Sequence, residues 1–219
     1  MRFLNYNKNV MRRTAVYVDG FNLYYGALRN TPYRWFDIDR ACSTILHGDN
    51  QIVQIKYFTA LVDGSIDPDG QQRQKLYIKA LKAWSSHLEV HYGHFLAHAK
   101  HMKNANPPPA FCNVINIEEK GSDVNLAAHF IRDAFLDEYD VGVVVSNDSD
   151  LVEAVRIVKE DAQKVTGVIL PLRKGRRASK KLSKAPHFVR ELRSTTVAAS
   201  QLPEQIPDTK LFKPERWAK

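Results

Sequence analysis

Hydrophobic runs alternate with amphipathic segments along most of this chain. The most uniformly apolar run, VGVVV at Val141–Val145, is typical of a strand buried on both faces of a parallel sheet. Similar runs predict strands at residues 14–18, 51–62, 88–96 and 164–172, with a short extra strand at 111–117.

The intervening segments have the composition and apolar spacing of helices. Helices are predicted at residues 21–30, 37–46, 68–86, 121–138 and 148–161. Three consecutive prolines predict that residues 98–110 form a loop. The polar, proline-containing residues from Ser200 onward are compatible with either an ordered strap or a mobile tail.

Strands that alternate with helices predict an α/β fold. The expected architecture is a three-layer sandwich, with helices on both faces of a mainly parallel central sheet. A chain of 219 residues is long enough for one such domain. The predicted divisions are an N-terminal extension at residues 1–13, the domain at 14–192 and a C-terminal tail at 193–219.

Composition narrows the class of protein further. Hydrophobic residues make up 44% and charged residues 26%, as in ordinary globular domains. No run approaches the roughly 18 apolar residues that a membrane helix needs, and the N-terminus lacks the apolar core of a signal peptide. These features predict a soluble, cytoplasmic protein without membrane association, in which Cys42 and Cys112 are reduced thiols.

Positive charge is concentrated in one stretch, residues 173–184, here called the basic segment. It carries seven basic residues and no acidic one, and without it the net charge of +8 falls to +1. Such a patch favours contact with a polyanion, although a solvated loop remains an alternative. The candidate binding residues are Arg173, Lys174, Arg176, Arg177, Lys180 and Lys181.

Polar residues follow the predicted strands where a parallel sheet binds its ligands. Asp19 and Asn22 come after the first strand, and Asp148 and Asp150 lie in the motif SNDSD after VGVVV. Lys120 and Asp123 stand at the start of the helix between them. Because ligands bind outside the carboxyl ends of parallel strands, we expect these side chains to converge.

Taken singly, each aspartate could be no more than a helix cap. Taken together they need another explanation, because converging carboxylates repel one another unless a cation offsets their charge. A hard cation with oxygen ligands, Mg²⁺ or Mn²⁺, fits this set best.

Other chemistries have weaker support in the residues. A phosphatase of the phosphoaspartate type needs an acid two residues after Asp19, where Phe21 stands. The pair Asp148 and Asp150 also matches the Asp-x-Asp of glycosyltransferases, but no P-loop or GxGxxG motif accompanies it. The histidines between residues 87 and 101 suggest zinc, yet the predicted strand puts His94 on the opposite face from its neighbours.

Three motifs in order, VDGFNLYY, EKGSDVNLAAHFIRDA and VVVSNDSDL, resemble the NYN domain, a branch of the PIN-like nuclease superfamily. The resemblance extends over residues 14–192. It implies a Rossmann-like parallel sheet, an acidic cluster that binds Mg²⁺ or Mn²⁺, and hydrolysis of RNA phosphodiester bonds.

The resemblance also implies roles for individual residues. Asp19, Asp123 and Asp148 would be the metal ligands, Asn22 would orient Asp19 or the substrate, and Asp150 would support them. Many NYN domains have a further acid about one turn into the helix that Asp123 opens. This chain has Ala128-His129 in that region, which leaves the choice between one and two metals open.

These expectations define a metal-dependent ribonuclease. Lys120 and the basic segment would hold the RNA, and aromatic residues near the first motif could stack on unpaired bases of a single strand. The main alternative is a weakly catalytic or inactive module that binds RNA or protein. A glycosyltransferase or phosphotransfer enzyme is a third, and self-association is compatible with the sequence.

Overall fold

The computed structural model describes residues 11–64, 67–173 and 175–217. Six strands form the central sheet: β1 (Arg12–Asp19), β2 (Asn50–Thr59), β3 (Leu88–Tyr92), β6 (Val141–Val145), β7 (Val165–Leu170) and β8 (Phe188–Glu191). Two more, β4 (His94–Lys103) and β5 (Phe111–Lys120), form a separate antiparallel hairpin. The sheet order is β3-β2-β1-β6-β7-β8 and every pairing in it is parallel, which confirms the predicted fold class.

Six α-helices are described: α1 (Gly20–Leu23), α2 (Ile38–Ile45), α3 (Pro68–Trp84), α4 (Ser122–Phe135), α5 (Val152–Glu160) and α6 (Ser194–Ala199). Alternate residues of β1 point to opposite faces of the sheet. Val16 and Val18 pack with α1, α2, α3 and α6, whereas Ala15 and Tyr17 pack with α4 and α5. The same alternation puts Asp19 on the side of the sheet that α4 covers.

The β4–β5 hairpin corrects two predictions. Residues 88–96 do not form one strand, because the strand stops at Tyr92 and Gly93 separates β3 from β4. Residues 98–110 are not all loop, since β4 continues to Lys103 and the three prolines occupy only the turn. Most side chains of β4 are exposed. Its sequence therefore lacks the alternation of apolar and polar residues that predicts a strand with one buried face.

The two ends of the described chain are tied to the sheet and the core. Residues 1–10 of the predicted extension lie outside the described residues, and Arg12 and Arg13 already belong to β1. Residues 194–217 form a strap, with Val197, Leu202 and Trp217 buried in the core. No helix of the described residues is long and apolar enough to cross a membrane.

Candidate active site

Asp19 is the most enclosed of the predicted site residues, with 3% of its surface exposed. Its Oδ1 accepts a hydrogen bond from the backbone N of Asn22 at 2.9 Å, and its Oδ2 accepts one from Asn22 Nδ2 at 2.7 Å. Ser146 Oγ also donates to Oδ2, at 2.9 Å. Burial raises the pKa of Asp19 above its ordinary value, and the charge of Asp148 adds to this effect against the hydrogen bonds that lower it.

Asp148 joins this arrangement through Ser146. The backbone N of Asp148 donates to Ser146 Oγ at 3.1 Å, so one hydroxyl links the ends of β1 and β6. Asp148 Oδ1 accepts from the backbone N of Asp150 at 3.0 Å and thereby caps a short 3₁₀ turn. Capping explains one oxygen of Asp148 and leaves the other available to a ligand.

Asp123 lies in the first turn of α4, whose start is set by Gly121 in a left-handed conformation with φ of 95°. The pKa of Asp123 is raised to about 6. The larger cause is partial withdrawal from solvent, and the smaller is the negative charge of four neighbours: Asp19, Asp148, Glu119 and Asp150. Repulsion of this kind requires the carboxylates to be near one another. These five carboxylates are here called the acidic cluster.

The acidic cluster fits a divalent cation in donor type and in charge. Carboxylate oxygens are the ligands that Mg²⁺ and Mn²⁺ prefer, and a cation would offset the repulsion that raises the pKa of Asp123. Within the three described ranges, no three His, Cys, Asp or Glu side chains have the spacing that holds a metal ion. Closure around an ion would therefore need rotation of Asp123 and Asp148, neither of which is buried.

The raised pKa of Asp123 predicts a stability change with pH in the metal-free protein. The folded-state pKa of about 6 exceeds the ordinary 3.8, so the folded protein binds this proton more tightly than the unfolded chain. Its stabilising contribution is present below pH 3.8 and is lost as the pH rises through 6. In EDTA, we expect the melting temperature of wild type to fall between these pH values relative to that of Asp123→Asn. A difference that does not change with pH would contradict the proximity of these carboxylates.

The basic segment is attached directly to the acidic cluster by Asn147. Asn147 Nδ2 donates to the carbonyl oxygen of Arg177 at 3.1 Å, and its Oδ1 accepts from the backbone N of Ser179 at 2.7 Å. Leu182, fully buried, anchors the far end of the segment. The described candidates are exposed and form no ion pair within the described chain: Arg173, Arg176, Arg177, Lys180 and Lys181. Lys174 lies outside the described residues.

Lys120 has a different environment from the basic segment. It ends β5, and its Nζ lies 2.6 Å from Glu118 Oε2 in a half-exposed ion pair. Glu118 also lies 3.6 Å from the Nζ of Lys100. Lys120 is thus partly neutralised within the hairpin, in contrast to the unpaired cations of the basic segment.

Sequence reasoning assigned no role to three contributors to the site. Glu119 accepts a hydrogen bond from the backbone N of Ser122 at 3.1 Å and adds a fifth carboxylate. Ser146 and Asn147 were visible within SNDSD, but only the folded chain shows which partners they join. Glu119 is the first residue of the motif EKGSDVNLAAHFIRDA, which was the available signal for it.

The histidines between residues 87 and 101 make separate contacts and do not form one group. The break at Gly93 removes the predicted common strand for His91 and His94. His91 instead lies beside His129, with ring centroids 4.3 Å apart. Burial, and to a smaller extent the charge of Lys56, lowers the pKa of both rings, so they are neutral near pH 7. His129 thus packs against a neighbouring ring, at the point where many NYN domains have an acid.

A parallel sheet with acidic residues at its carboxyl edge defines a Rossmann-like domain of the PIN type. The NYN domain model matches residues 13–192, so the chain belongs to the NYN domain family, which is part of the PIN-like nuclease superfamily. The resemblance drawn from the three motifs is thereby confirmed.

Comparison with individual proteins gives a relative in sequence and a neighbour in structure. The chain is 34% identical over 234 aligned positions to 6-hydroxy-3-succinoylpyridine 3-monooxygenase HspA of Pseudomonas putida, covering 94% of this chain and 75% of that protein. It also resembles the crystal structure of a Vibrio parahaemolyticus protein of unknown function, with a TM-score of 0.50 and 16% identity. That match covers 85% of this chain and 96% of the other, and at this identity it supports the fold alone.

Proposed function

We propose that this protein is a Mg²⁺- or Mn²⁺-dependent ribonuclease that hydrolyses phosphodiester bonds of single-stranded RNA at the acidic cluster. The observation that carries the proposal is the direct attachment of a cationic surface to an anionic site. Asn147 joins the two through Arg177 and Ser179, next to Asp148. Phosphates bound by the basic segment would therefore lie beside carboxylates suited to a divalent metal.

In this function, Asp19, Asp123 and Asp148 would hold the metal. When bound, the ion supplies a Lewis acid that lowers the pKa of a water molecule and stabilises charge on the phosphoryl oxygens. Asn22 and Ser146 keep the Asp19 carboxylate in place through three hydrogen bonds. Exposed cations of the basic segment hold the substrate phosphates. Asp150 supports Asp148, because its backbone N donates to Asp148 Oδ1 and stabilises the 3₁₀ turn there.

Charge removal from the basic segment should weaken RNA binding and its dependence on salt. Arg176→Ala with Arg177→Ala is expected to lower the slope of log K against log salt by about 0.7 for each phosphate that the protein no longer neutralises. The measurement is fluorescence anisotropy of a labelled single-stranded RNA in EDTA at several salt concentrations. Arg40→Ala with Arg193→Ala, two exposed arginines outside the segment, is the matched control and should leave the slope unchanged. Equal slopes in both double variants would contradict the assignment.

A second candidate is hydroxylation of a small aromatic acid, the reaction in the name of the Pseudomonas putida relative. The identity of 34% over most of this chain favours it. That reaction consumes dioxygen and a reductant, whereas RNA hydrolysis consumes only water. The two candidates therefore differ in a quantity that is directly measurable.

The test gives the wild-type protein both substrates in parallel. One reaction contains end-labelled single-stranded RNA with Mn²⁺, Mg²⁺ or EDTA, and the other contains 6-hydroxy-3-succinoylpyridine, a nicotinamide reductant and an oxygen electrode. We expect metal-dependent RNA fragments and no substrate-dependent oxygen uptake. Oxygen uptake without RNA cleavage would favour the second candidate, and RNA binding without either reaction would favour a non-catalytic module.

A further inference from the structure

A cleft of about 250 Å³ opens at the carboxyl ends of β1 and β2. It is here called the aromatic cleft, because its walls include the rings of Phe21, Tyr24, Tyr25, Tyr57, Tyr77 and Trp217. Aromatic walls of this kind suit a flat ring, since each face of the ring then gains stacking contact. None of the predicted metal ligands lines this cleft.

Tyr57 gives the aromatic cleft a free polar group. The residue is 6% exposed, yet its hydroxyl forms no hydrogen bond with any residue in the described part of the chain. Gly20 allows this arrangement, because a Cβ there would lie 2.8 Å from the hydroxyl oxygen and from the Phe58 carbonyl oxygen. A hydroxyl that opens into a cleft without a protein partner is available to hydrogen-bond a ligand there.

Three arginines give the aromatic cleft a positive charge: Arg29, Arg34 and Arg73. The guanidinium of Arg29 lies 5.2 Å from the Tyr25 ring centroid, and that of Arg34 lies 5.7 Å from the Trp217 ring centroid. Neither has a carboxylate partner among the described residues, and the buried Nε of Arg34 has no hydrogen-bond partner there. Arg73 pairs only loosely with Asp69, at 4.0 Å. The lining also contains the carboxylate of Asp67, whose Oδ1 accepts a hydrogen bond from the backbone N of Gly70. Three arginines and one carboxylate leave the cleft with a net positive charge, which favours an anionic ligand.

Along the carboxyl edge of the sheet, the acidic cluster lies between the aromatic cleft and the basic segment. Tyr57 and Trp217 of the cleft pack on the face that α2 and α3 cover, whereas Leu182 of the basic segment packs on the face that α4 and α5 cover. The cleft is at the ends of β2 and β1, Asp19 and Asp148 are at the ends of β1 and β6, and the basic segment follows β7. From β2 to β7 there are three strand spacings, roughly 14 Å. Gly20, which directly follows Asp19, packs against the Tyr57 hydroxyl, so the cleft borders the acidic cluster. A strand of a few nucleotides is long enough to contact all three.

We propose that the aromatic cleft binds one unpaired nucleotide of the substrate, with its base between aromatic rings and its phosphate on Arg29 and Arg34. The role as a substrate subsite rests on the proposed ribonuclease function, but nucleotide binding itself does not. A flat base must leave any duplex to enter the cleft, so this site selects single strands. It also fixes the position of the neighbouring phosphate over the acidic cluster.

The experiment measures binding of uridine 5′-monophosphate by calorimetry in EDTA, where no hydrolysis interferes. Ribose 5-phosphate and a hydroxypyridine carboxylate are the comparison ligands. The variants are Tyr57→Phe, which removes only the free hydroxyl, and Arg29→Gln. Tyr33→Phe and Arg40→Gln are matched controls, because neither residue lines the cleft.

Uridine 5′-monophosphate should bind wild type, and Tyr57→Phe and Arg29→Gln should each weaken it about three- to tenfold. The control variants should bind as wild type does, and ribose 5-phosphate should bind at least about tenfold more weakly because it cannot stack. Binding of the pyridine acid without the nucleotide would overturn the proposal in favour of a small-molecule site. Equal binding of ribose 5-phosphate, or no effect of either cleft variant, would also overturn it. Nucleotide binding is measured in EDTA, without metal. Its outcome therefore does not depend on whether the protein cleaves RNA.

Discussion

Asp19→Asn should abolish metal-dependent RNA cleavage while leaving the fold intact. Loss of a residue that merely orients a metal ligand costs roughly 10- to 100-fold in activity, so loss of a ligand should exceed about 100-fold. Asparagine keeps an oxygen for the backbone N of Asn22, 2.9 Å away. It also removes a buried negative charge, which burial and Asp148 both disfavour. The amide nitrogen of asparagine, however, replaces the oxygen that accepts from Asn22 Nδ2 and Ser146 Oγ. In EDTA, the free energy of unfolding of the variant should therefore stay within about 1–3 kcal/mol of that of wild type.

The matched control for Asp19→Asn is Asp161→Asn, a change of the same type at an exposed position after α5. It should cleave RNA at the wild-type rate. Calorimetric titration with Mn²⁺ supplies a second measurement, in which wild type binds and Asp19→Asn binds more weakly. Full cleavage by Asp19→Asn, with equal Mn²⁺ affinity, would remove Asp19 from the site.

Asp133→Ala should cause the largest loss of stability, because it leaves a buried cation without a partner. Asp133 Oδ2 lies 2.5 Å from Lys56 Nζ and accepts from the Tyr17 hydroxyl at 2.7 Å. All three residues are at least 95% buried, between the sheet and α4. Breaking such a buried pair typically costs about 3–5 kcal/mol in the free energy of unfolding. Urea unfolding monitored by circular dichroism measures the change.

Two comparisons separate this effect from general damage. Glu153→Ala removes an exposed ion pair with Arg156 and should lower the free energy of unfolding far less than Asp133→Ala does. The double variant Lys56→Met with Asp133→Leu removes both charges, so its loss should be smaller than the sum of the single losses. If the losses in free energy of unfolding of the two single variants add up to that of the double variant, Lys56 and Asp133 do not stabilise each other.

The parts of the fold that follow a buried apolar pattern were predictable from the sequence. VGVVV is β6 with the predicted bounds, and the helix at residues 37–46 is α2 with Asp37 as its N-cap. The acidic motifs could be located because parallel strands bring their carboxyl ends to one edge. The positions of the predicted site residues follow from that topology. Their roles are proposals, which Asp19→Asn and Asp148→Asn test.

Features that depend on contacts between distant segments could not be predicted. The strands β4 and β5 have largely exposed side chains, so no periodic burial distinguishes them from loop. The link from Asn147 to Arg177 and Ser179 spans about thirty residues and leaves no local signal. The aromatic cleft combines residues 20–34 with α3 and with Trp217 at the far end of the chain. Only the packed strap brings that tryptophan to Arg34.

We propose above all that the acidic cluster and a divalent metal together hydrolyse RNA. The most direct test incubates a labelled single-stranded RNA with wild type and with Asp148→Asn, first in EDTA and then with Mn²⁺ restored in excess. The account predicts no cleavage in EDTA, cleavage by wild type when Mn²⁺ is restored, and little cleavage by Asp148→Asn at the same metal concentration. Cleavage that persists in EDTA, or that Asp148→Asn performs as fast as wild type, would contradict it.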